Sequence, residues 1–554
     1  MSATTDILYT ITRTATWTKD SYINKAANSD AMNTLANDVS SGNVSELANR
    51  INLFLQSVTS DIPPLEKNNK YSQFQSPTVS PFTISVEEIE KNLSKIKVNK
   101  AGGPDGIQAW MLRDLAPLLA KPIAKIFNSS VREGHVPEQW KQAYICPLPK
   151  KNPPKLIEKD IRPISLTFLF AKELERFVVK WIRDQLTSDD PLQFGNRAKI
   201  STTHMLVYLV HNWAKALDEG NRVQAVFVDF TKAFDKIDHT ILMSKYEKDG
   251  VHPTLLKWLA SFLFERQQCV RIDSHVSASV KINGAVPQGA ILGLEAFCQM
   301  IKDMRAALPI FKFVDDSTLS EIISKKAEKS QLQSAVNDTV TWTKENGMLI
   351  NPTKTYEMVI AGRTQTEDIP EIKIDNTPIE RVESTKLVGV HIQSNLKWDK
   401  HVDSMIAKCR PKLYFLAALK KARLTQIDLL KFYCSIVRSQ LEYAVPVFAT
   451  SLPGTLIERL ESVQKRAMRI IFPELSYTEA LKTANIVTLQ KRRLDICKRF
   501  FKDMLNTDHI LHHLLPEERV ARYSIRSQKK FEIPRCKTNR FKNTLIPYGL
   551  INFQ

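Results

Sequence analysis

At 554 residues and 43% apolar content, the chain has the length and composition of a globular protein with several packed subdomains, which excludes a disordered or fibrous one. Its seven cysteines (Cys146, Cys269, Cys298, Cys409, Cys434, Cys497 and Cys536) include no C-x-x-C pair and no zinc-knuckle spacing, arguing against a disulfide framework or structural zinc and for a reducing, intracellular setting, cytoplasm or nucleus. Formal net charge is +19, concentrated in residues 401–554, where 28 Lys and Arg face 13 Asp and Glu. Such a surplus favours a nucleic-acid partner through phosphate contacts, with a merely solvated surface as the plainer alternative.

The first residues, MSATTDILYTITRT, lack a basic start followed by an apolar stretch, and no run of about 18 uncharged apolar residues occurs; neither secretion nor membrane spanning is expected. Residues 1–80 read as an N-terminal helical segment and linker: an apolar helical pattern at Leu47, Ile51, Leu53 and Phe54 precedes the breaker-rich DIPPLEKNNKYSQFQSPTVSP. A helix starts at Ser85, where S-V-E-E has the form of a capping box, and runs through Ile89, Leu93 and Ile96 to the turn KAGGPDG at 100–106. The backbone N–H groups of that turn suit a phosphate, or it is a plain loop. Two extended pieces follow, AYICPLPKK (143–151) and DIRPISL (160–166).

VQAVFVDF, from 223, is a continuous β-branched and aromatic run suited to a buried central strand. Helices are expected near 239–249 and 253–265, then the strand-like QQCVRI and ASVKING, then AVPQGAILG entering a helical region through about 307. FKFVDDSTL (311–319) is bounded by Pro309 before and a long helix after, giving a mixed α+β core. Beyond 410 the segments are helical. TLIERLESVQKRAMRIIF places Leu456, Leu460, Val463, Ala467 and Ile470 on one face and Arg459, Lys465, Arg466 and Arg469 off it, and Thr455 with Glu458 forms a second capping box.

Asp315 and Asp316 are neighbouring acids in an apolar run, costly to ionise without a cation, and the sequence offers none closer than Lys312. Asp229 ends VQAVFVDF in the same manner. Two hydrophobic strands laid side by side would gather three carboxylates, a donor set for divalent ions that clamp the attacking and leaving oxygens of a phosphoryl transfer. Taken alone, the Asp-Asp pair also fits a solvent-facing turn.

VFVDFTKAFDKIDH, GAVPQGAILG and FVDDST, in this order, resemble motifs A, B and C of the reverse transcriptases of LINE-type (non-LTR) retrotransposons. ICPLPKK and RPISL resemble the fingers motifs, QFGNRAKISTTHML the insertion between fingers and palm, and TWTKENGMLINPTKT motif D. LVGVHIQSNLKWDKHV resembles the primer grip, and TLIERLESVQKRAMRIIF the thumb of jockey-like elements, so that the resemblance covers roughly residues 80 to 475. It implies a right-hand polymerase fold of class α+β: fingers over 81–222, a palm over 223–405 whose antiparallel sheet carries the carboxylates, a helical thumb over 406–475 and a basic helical C-terminal region over 476–554. The implied activity is RNA-directed DNA polymerisation, with RNA template, DNA primer or target, and dNTPs as partners.

By the same resemblance, Asp229, Asp315 and Asp316 hold two Mg²⁺ ions, with Mn²⁺ as a substitute, and Phe230 offers its backbone carbonyl. Phe234 is the steric gate against a 2′-hydroxyl, although a core role fits the residue alone. Lys150 and Arg162 contact triphosphate, a point charge and a planar fork respectively. Gln288 and Gly289 approach the incoming nucleotide and template, and Lys354 protonates the departing pyrophosphate as a general acid. Arg459, Lys465, Arg466 and Arg469 form a nucleic-acid face. His509, His512 and His513 lack partner cysteines at zinc spacing and read as non-ligands.

The chain departs from the family in Leu294 and Glu295, where Pro and apolar residues are usual, and in the absence of an N-terminal endonuclease, which would then be supplied separately. Two other readings stay open: an RNA-dependent RNA polymerase, which the D-x5-D spacing of Asp229 and Asp235 partly fits, and a truncated or repurposed protein that only binds RNA.

Overall fold

The computed structural model describes residues 18–76, 78, 80–186, 190–324, 330–362, 369–519 and 530–554, with side chains from residue 29 onward. The stretch VARYSIRSQK, 520–529, part of the expected basic C-terminal region, lies outside the described residues. In chain order the strands are β1 (Gln142–Pro149), β2 (Ile161–Leu166), β3 (Arg222–Val228), β4 (Gln267–Ile272), β5 (His275–Val276), β6 (Val280–Lys281) and β7 (Ile310–Phe313). There follow β8 (Asp316–Ile323), β9 (Tyr356–Ile360), β10 (Lys373–Ile374), β11 (Thr377–Pro378), β12 (Glu380–Arg381), β13 (Ser384–Leu387) and β14 (Val390–Gln393). The fold is thus mixed, helices and sheets both, and it separates into two compact units. One comprises 1–191, 230–304 and 342–349, the other 192–229, 305–341 and 350–554, so residues 223–405, expected as one palm, contribute to both.

The first unit is built on the sheet β2-β1-β4-β5, with β6 also on β4. β1 pairs antiparallel with β2 and parallel with β4, Gln142 opposite Gln267, a partnership across more than a hundred residues of chain. The helix Val44–Ser57 buries Leu47 and Ile51 against Ala143, Ile145, Val270 and Ile272, while Leu53 of the same predicted stripe points outward. Its buried Asn52 donates to the Ala278 carbonyl at 2.7 Å and to Ser277 Oγ at 3.0 Å, and accepts from Gln268 Nε2 at 3.1 Å, so a polar side chain stitches helix to sheet. Ser85 caps Val86–Leu93 in the predicted box with Glu88. That helix stops at Leu93, before Ile96, which is nevertheless buried. The helix after the PQG segment runs Ile291–Met300, shorter than expected. In it Glu295 is buried and accepts from Arg183 Nε at 2.8 Å and from its terminal nitrogen at 2.5 Å, which is how the departure from the usual apolar residue is accommodated.

The second unit centres on the sheet β12-β9-β3-β8-β7. β3 is central and buried from Val223 to Val228, antiparallel to both β8 and β9, as its continuous apolar run requires. The helix Thr202–Asp218 buries residues on most of its faces, Met205, Val210 and Trp213 among them, in the same core. Gly454–Ile471 buries Leu456, Leu460, Val463, Ala467 and Ile471; the stripe ends on Ile471, with Ile470 half-buried. Its N-cap is Pro453, with no side-chain cap, so the Thr455–Glu458 box does not form: the proline starts the helix upstream of Thr455. The C-terminal segment is part of this core. Phe541, Leu545, Ile546 and Leu550 are buried, and Asp218 accepts from Thr538 N at 2.6 Å and Lys537 N at 2.9 Å. Among the described residues no helix is long and apolar enough to cross a membrane.

Candidate active site

In the second unit the three predicted aspartates stand at the ends of two adjacent strands, β3 and β8. β3 ends at Val228, paired with Ser317 of β8, and Asp229 follows directly. Asp229 N donates to the buried Thr355 Oγ1 at 3.2 Å, and its carbonyl accepts from Asn351 N at 2.8 Å, so its backbone is tied down on both sides. β7 and β8 form a hairpin in which Phe313 pairs with Asp316, leaving Val314 and Asp315 as a two-residue turn. Val314 has φ +58°, a conformation that a β-branched residue adopts at a cost of roughly 1–3 kcal/mol. FKFVDDSTL is therefore not one strand spoiled by charge: its apolar residues make the hairpin and the acids stand at the turn.

Asp316 keeps an exposed edge, yet crowding by surrounding protein, then the charge of Asp315, then that of Asp229, raise its carboxyl to about 6. Among the described residues no three His, Cys, Asp or Glu side chains are already arranged to hold a metal ion. The donor set nevertheless fits one: three carboxylates offer the hard oxygens that Mg²⁺ takes, and a cation would return Asp316 to its ionised form. The folded chain retains on Asp316 a proton that the unfolded chain releases between about pH 4 and pH 6, so this carboxyl's contribution to stability falls as pH rises through that window. In chelator-treated protein Asp316→Asn is expected to melt higher than wild type above pH 6, by roughly 1 kcal/mol once solvent screening is allowed for, with the difference vanishing toward pH 4. Thermal melts at pH 4, 6 and 8 check it; a variant that melts no higher at pH 8 would show that the folded chain does not disfavour the Asp316 charge.

Lys354 is exposed on the turn that begins at Asn351, the residue bonded to the Asp229 carbonyl, so its loop is anchored beside the first aspartate's backbone. The four basic residues of Gly454–Ile471 are exposed, as predicted from spacing. Arg459 is committed to an ion pair with Asp403, and Lys465 lies 5.7 Å from the Tyr477 ring centroid. His509 packs its ring against His204 and Phe500, and His512 Nδ1 lies 2.9 Å from the Met504 carbonyl.

The first unit gathers a second set. Lys150 and Arg162 are exposed at one end of the β1–β2 pair, where Leu148 faces Arg162 and Lys150 N donates to the Asp160 carbonyl at 2.7 Å. On the same strand Ser165 N donates to the Gln288 carbonyl at 2.8 Å, and Gly289, at φ +133°, passes so close that a Cβ there would lie 2.5 Å from the Ser165 carbonyl oxygen. Gln288 Nε2 donates to Asp235 at 3.0 Å, and burial raises the Asp235 carboxyl. Phe234, half-buried, stacks on Phe297 at 4.8 Å, and its carbonyl accepts from Val286 N at 3.0 Å. Phe230 is buried. Gln288 and Gly289 thus meet β2 at Ser165 and bring Asp235 with them, while Phe234 joins them through Val286 and Phe297.

Sequence reasoning missed Glu175, which is fully buried and accepts from Ile291 N at 2.7 Å and Leu292 N at 2.9 Å, fixing the start of the helix after PQG. It also missed Gln193, whose Oε1 accepts from Val314 N at 3.0 Å, and Gly195 beside it. A lone Glu in an amphipathic helix carries no signal of such a role; QFG, a polar-aromatic-glycine step before a helix, carries a weak one.

Residues 148–392 match the family described as Reverse transcriptase (RNA-dependent DNA polymerase), a stretch that holds both residue sets but not the basic residues of Gly454–Ile471. The chain is 26% identical over 462 residues to the Probable RNA-directed DNA polymerase from transposon BS of Drosophila melanogaster, covering 79% of this chain and 50% of that protein. It is 25% identical over 405 residues to the RNA-directed DNA polymerase from mobile element jockey of the same organism, covering 70% and 44%. To the Probable RNA-directed DNA polymerase from transposon X-element, also of D. melanogaster, it is 25% identical over 417 residues, covering 73% and 45%. The chain spans about half the length of the curated relatives it matches.

Proposed function

We propose that the chain is an RNA-directed DNA polymerase that adds deoxynucleotides to a primer 3′-hydroxyl on an RNA template, as part of a retrotransposon. The observation that carries this reading is the hairpin that sets Asp315 and Asp316 at its turn, close enough to Asp229 for both neighbours to raise the Asp316 carboxyl. The relatives' names support DNA over RNA as the product. We assign fingers to 81–222, palm to 223–405, thumb to 406–475 and a basic region to 476–554. This is a layout of function rather than of packing.

In this reading Asp229, Asp315 and Asp316, with the Phe230 carbonyl, hold two Mg²⁺ ions, which when bound would acidify the 3′-hydroxyl and neutralise charge on the departing pyrophosphate. Lys150 and Arg162 bind the triphosphate, the guanidinium as a fork on two oxygens. Gln288 is oriented by its bond to Asp235. The glycine beside it lets the backbone approach the nucleotide. Lys354 gives a proton to the leaving group. Arg466 and Arg469, exposed on their helix, bind phosphate, with Lys465; Arg459 joins them only by giving up Asp403.

Phe234 sets its ring against the sugar and leaves no room for a 2′-hydroxyl, its position supported by its stack on Phe297. Phe234→Ala is therefore expected to admit ribonucleotides, lowering the dNTP-over-rNTP ratio of kcat/KM by about 10²-fold or more. An unchanged ratio would return Phe234 to the core.

Primer extension by the whole chain on an RNA template with Mg²⁺, offering dNTPs or rNTPs, tests the proposal. Incorporation of dNTPs is expected. A folded chain that binds RNA and extends nothing would be a binding protein; preference for rNTPs would make it an RNA polymerase.

A further inference from the structure

The turn that presents Asp315 and Asp316 is built on an unfavourable residue, and the structure shows what holds it. Val314 takes positive φ where two-residue hairpin turns ordinarily use Gly, Asn or Asp. Its amide is held by Gln193, a 7%-exposed side chain whose Oε1 also accepts from Gly195 N at 2.8 Å. The backbone of this segment runs parallel to β7: Phe194 N donates to the Lys312 carbonyl at 2.8 Å, and Lys312 N to the Leu192 carbonyl at 2.9 Å. Rings fasten the two together, Phe194 to Tyr208 at 6.3 Å and Tyr208 to Phe311 at 4.9 Å. Gly195 then presses on the turn so closely that a Cβ would lie 2.6 Å from Val314 Cγ2 and 2.7 Å from Val314 N.

We infer that Gln193 and Gly195 are positioning residues that fix the Val314–Asp315 turn and so the direction in which Asp315 and Asp316 face. The inference rests on the polymerase reading for its catalytic consequence, but not for the clamp itself. An amide oxygen that accepts from Gly195 N of its own segment and from Val314 N of the turn ties the two together and holds a turn that Val314 would not keep on its own. The absent side chain of Gly195 is what lets this segment lie against Val314.

Gln193→Leu keeps the volume and removes the acceptor. At saturating dNTP and primer-template it is expected to lower kcat by about 30-fold, the scale of an ångström-sized misplacement of reacting groups, with KM little changed. Gly195→Ala, which puts a methyl group against Val314, should do the same. Val314→Gly, which accepts positive φ without strain, should restore most of the kcat lost in Gln193→Leu. Wild-type kcat in Gln193→Leu, failure of the rescue, or a rise in KM with a general loss of stability would each overturn the inference. Hydrogen exchange at the amides of residues 314–316 reads the clamp without catalysis, and Gln193→Leu should speed it. If the wild-type chain extends no primer, the polymerase reading fails while this arm still decides: faster exchange in Gln193→Leu upholds the clamp, and unchanged exchange sinks it.

Discussion

Asp315→Asn is expected to abolish primer extension, by on the order of 10³-fold or more, while leaving RNA affinity and the melting curve close to wild type. The substitution keeps the shape of the side chain and removes only its charge. Asp315 is exposed in the hairpin turn, with Val314 before it held by Gln193, so little packing depends on it. The basic face of Gly454–Ile471 is untouched. A loss of activity with folding and RNA binding intact therefore isolates the negative charge as the requirement, which is what a donor to divalent ions predicts and what a solvent-facing turn does not. Asp229→Asn should behave alike, although its backbone bonds to Thr355 and Asn351 make it the stiffer position. Persistent extension by Asp315→Asn would remove the carboxylates from the mechanism and reduce the hairpin to a connection between two strands.

Much of this site was legible because it lies where local pattern and tertiary role agree. β3 is central and buried on both faces, so its sequence is continuously apolar until Asp229, and the interruption marks the strand's end. The Ser85 box is legible for the same reason, since both its hydrogen bonds are made within four residues. The Thr455–Glu458 pair has the same spelling, but a proline two residues upstream sets the start of that helix elsewhere, a constraint the motif does not contain. What periodicity cannot show is pairing over distance. The parallel match of β1 with β4, and of the Gln193 segment with β7, joins residues whose own neighbours say nothing of one another. Lys312 illustrates the cost: the sequence offers it as the nearest cation to the acids, whereas the strand buries it at 1% exposure. Charge bias is silent on packing at the C-terminus. Residues 476–554 read as a basic region, and the charge count does not show that Phe541, Leu545, Ile546 and Leu550 within it belong to the second unit's core, tied through Thr538 to Asp218.

Gly289→Ala should be the most disruptive single substitution in the first unit's residue set. Two independent constraints act there. At φ +133° an L side chain is strained whatever the space, and the added Cβ would stand 2.5 Å from the Ser165 carbonyl oxygen. Ser165 has no room to yield, because it lies in β2 opposite Ile145, inside a register that runs from Tyr144 to Pro149, and its N–H is already bonded to the Gln288 carbonyl. The segment that must move is therefore Gln288–Gly289 itself. Lifting it from β2 breaks that bond and draws Gln288 away from Asp235, whose half-buried carboxyl would lose its side-chain donor. We expect a loss of roughly 3 kcal/mol in stability and, in protein that remains folded at low temperature, a rise of more than about tenfold in the KM for dNTP. RNA affinity should change little. Denaturant unfolding and steady-state extension at 10 °C separate the two effects: a variant that unfolds like wild type would show that the loop relaxes without strain, and an unchanged KM would show that PQG does not meet the nucleotide.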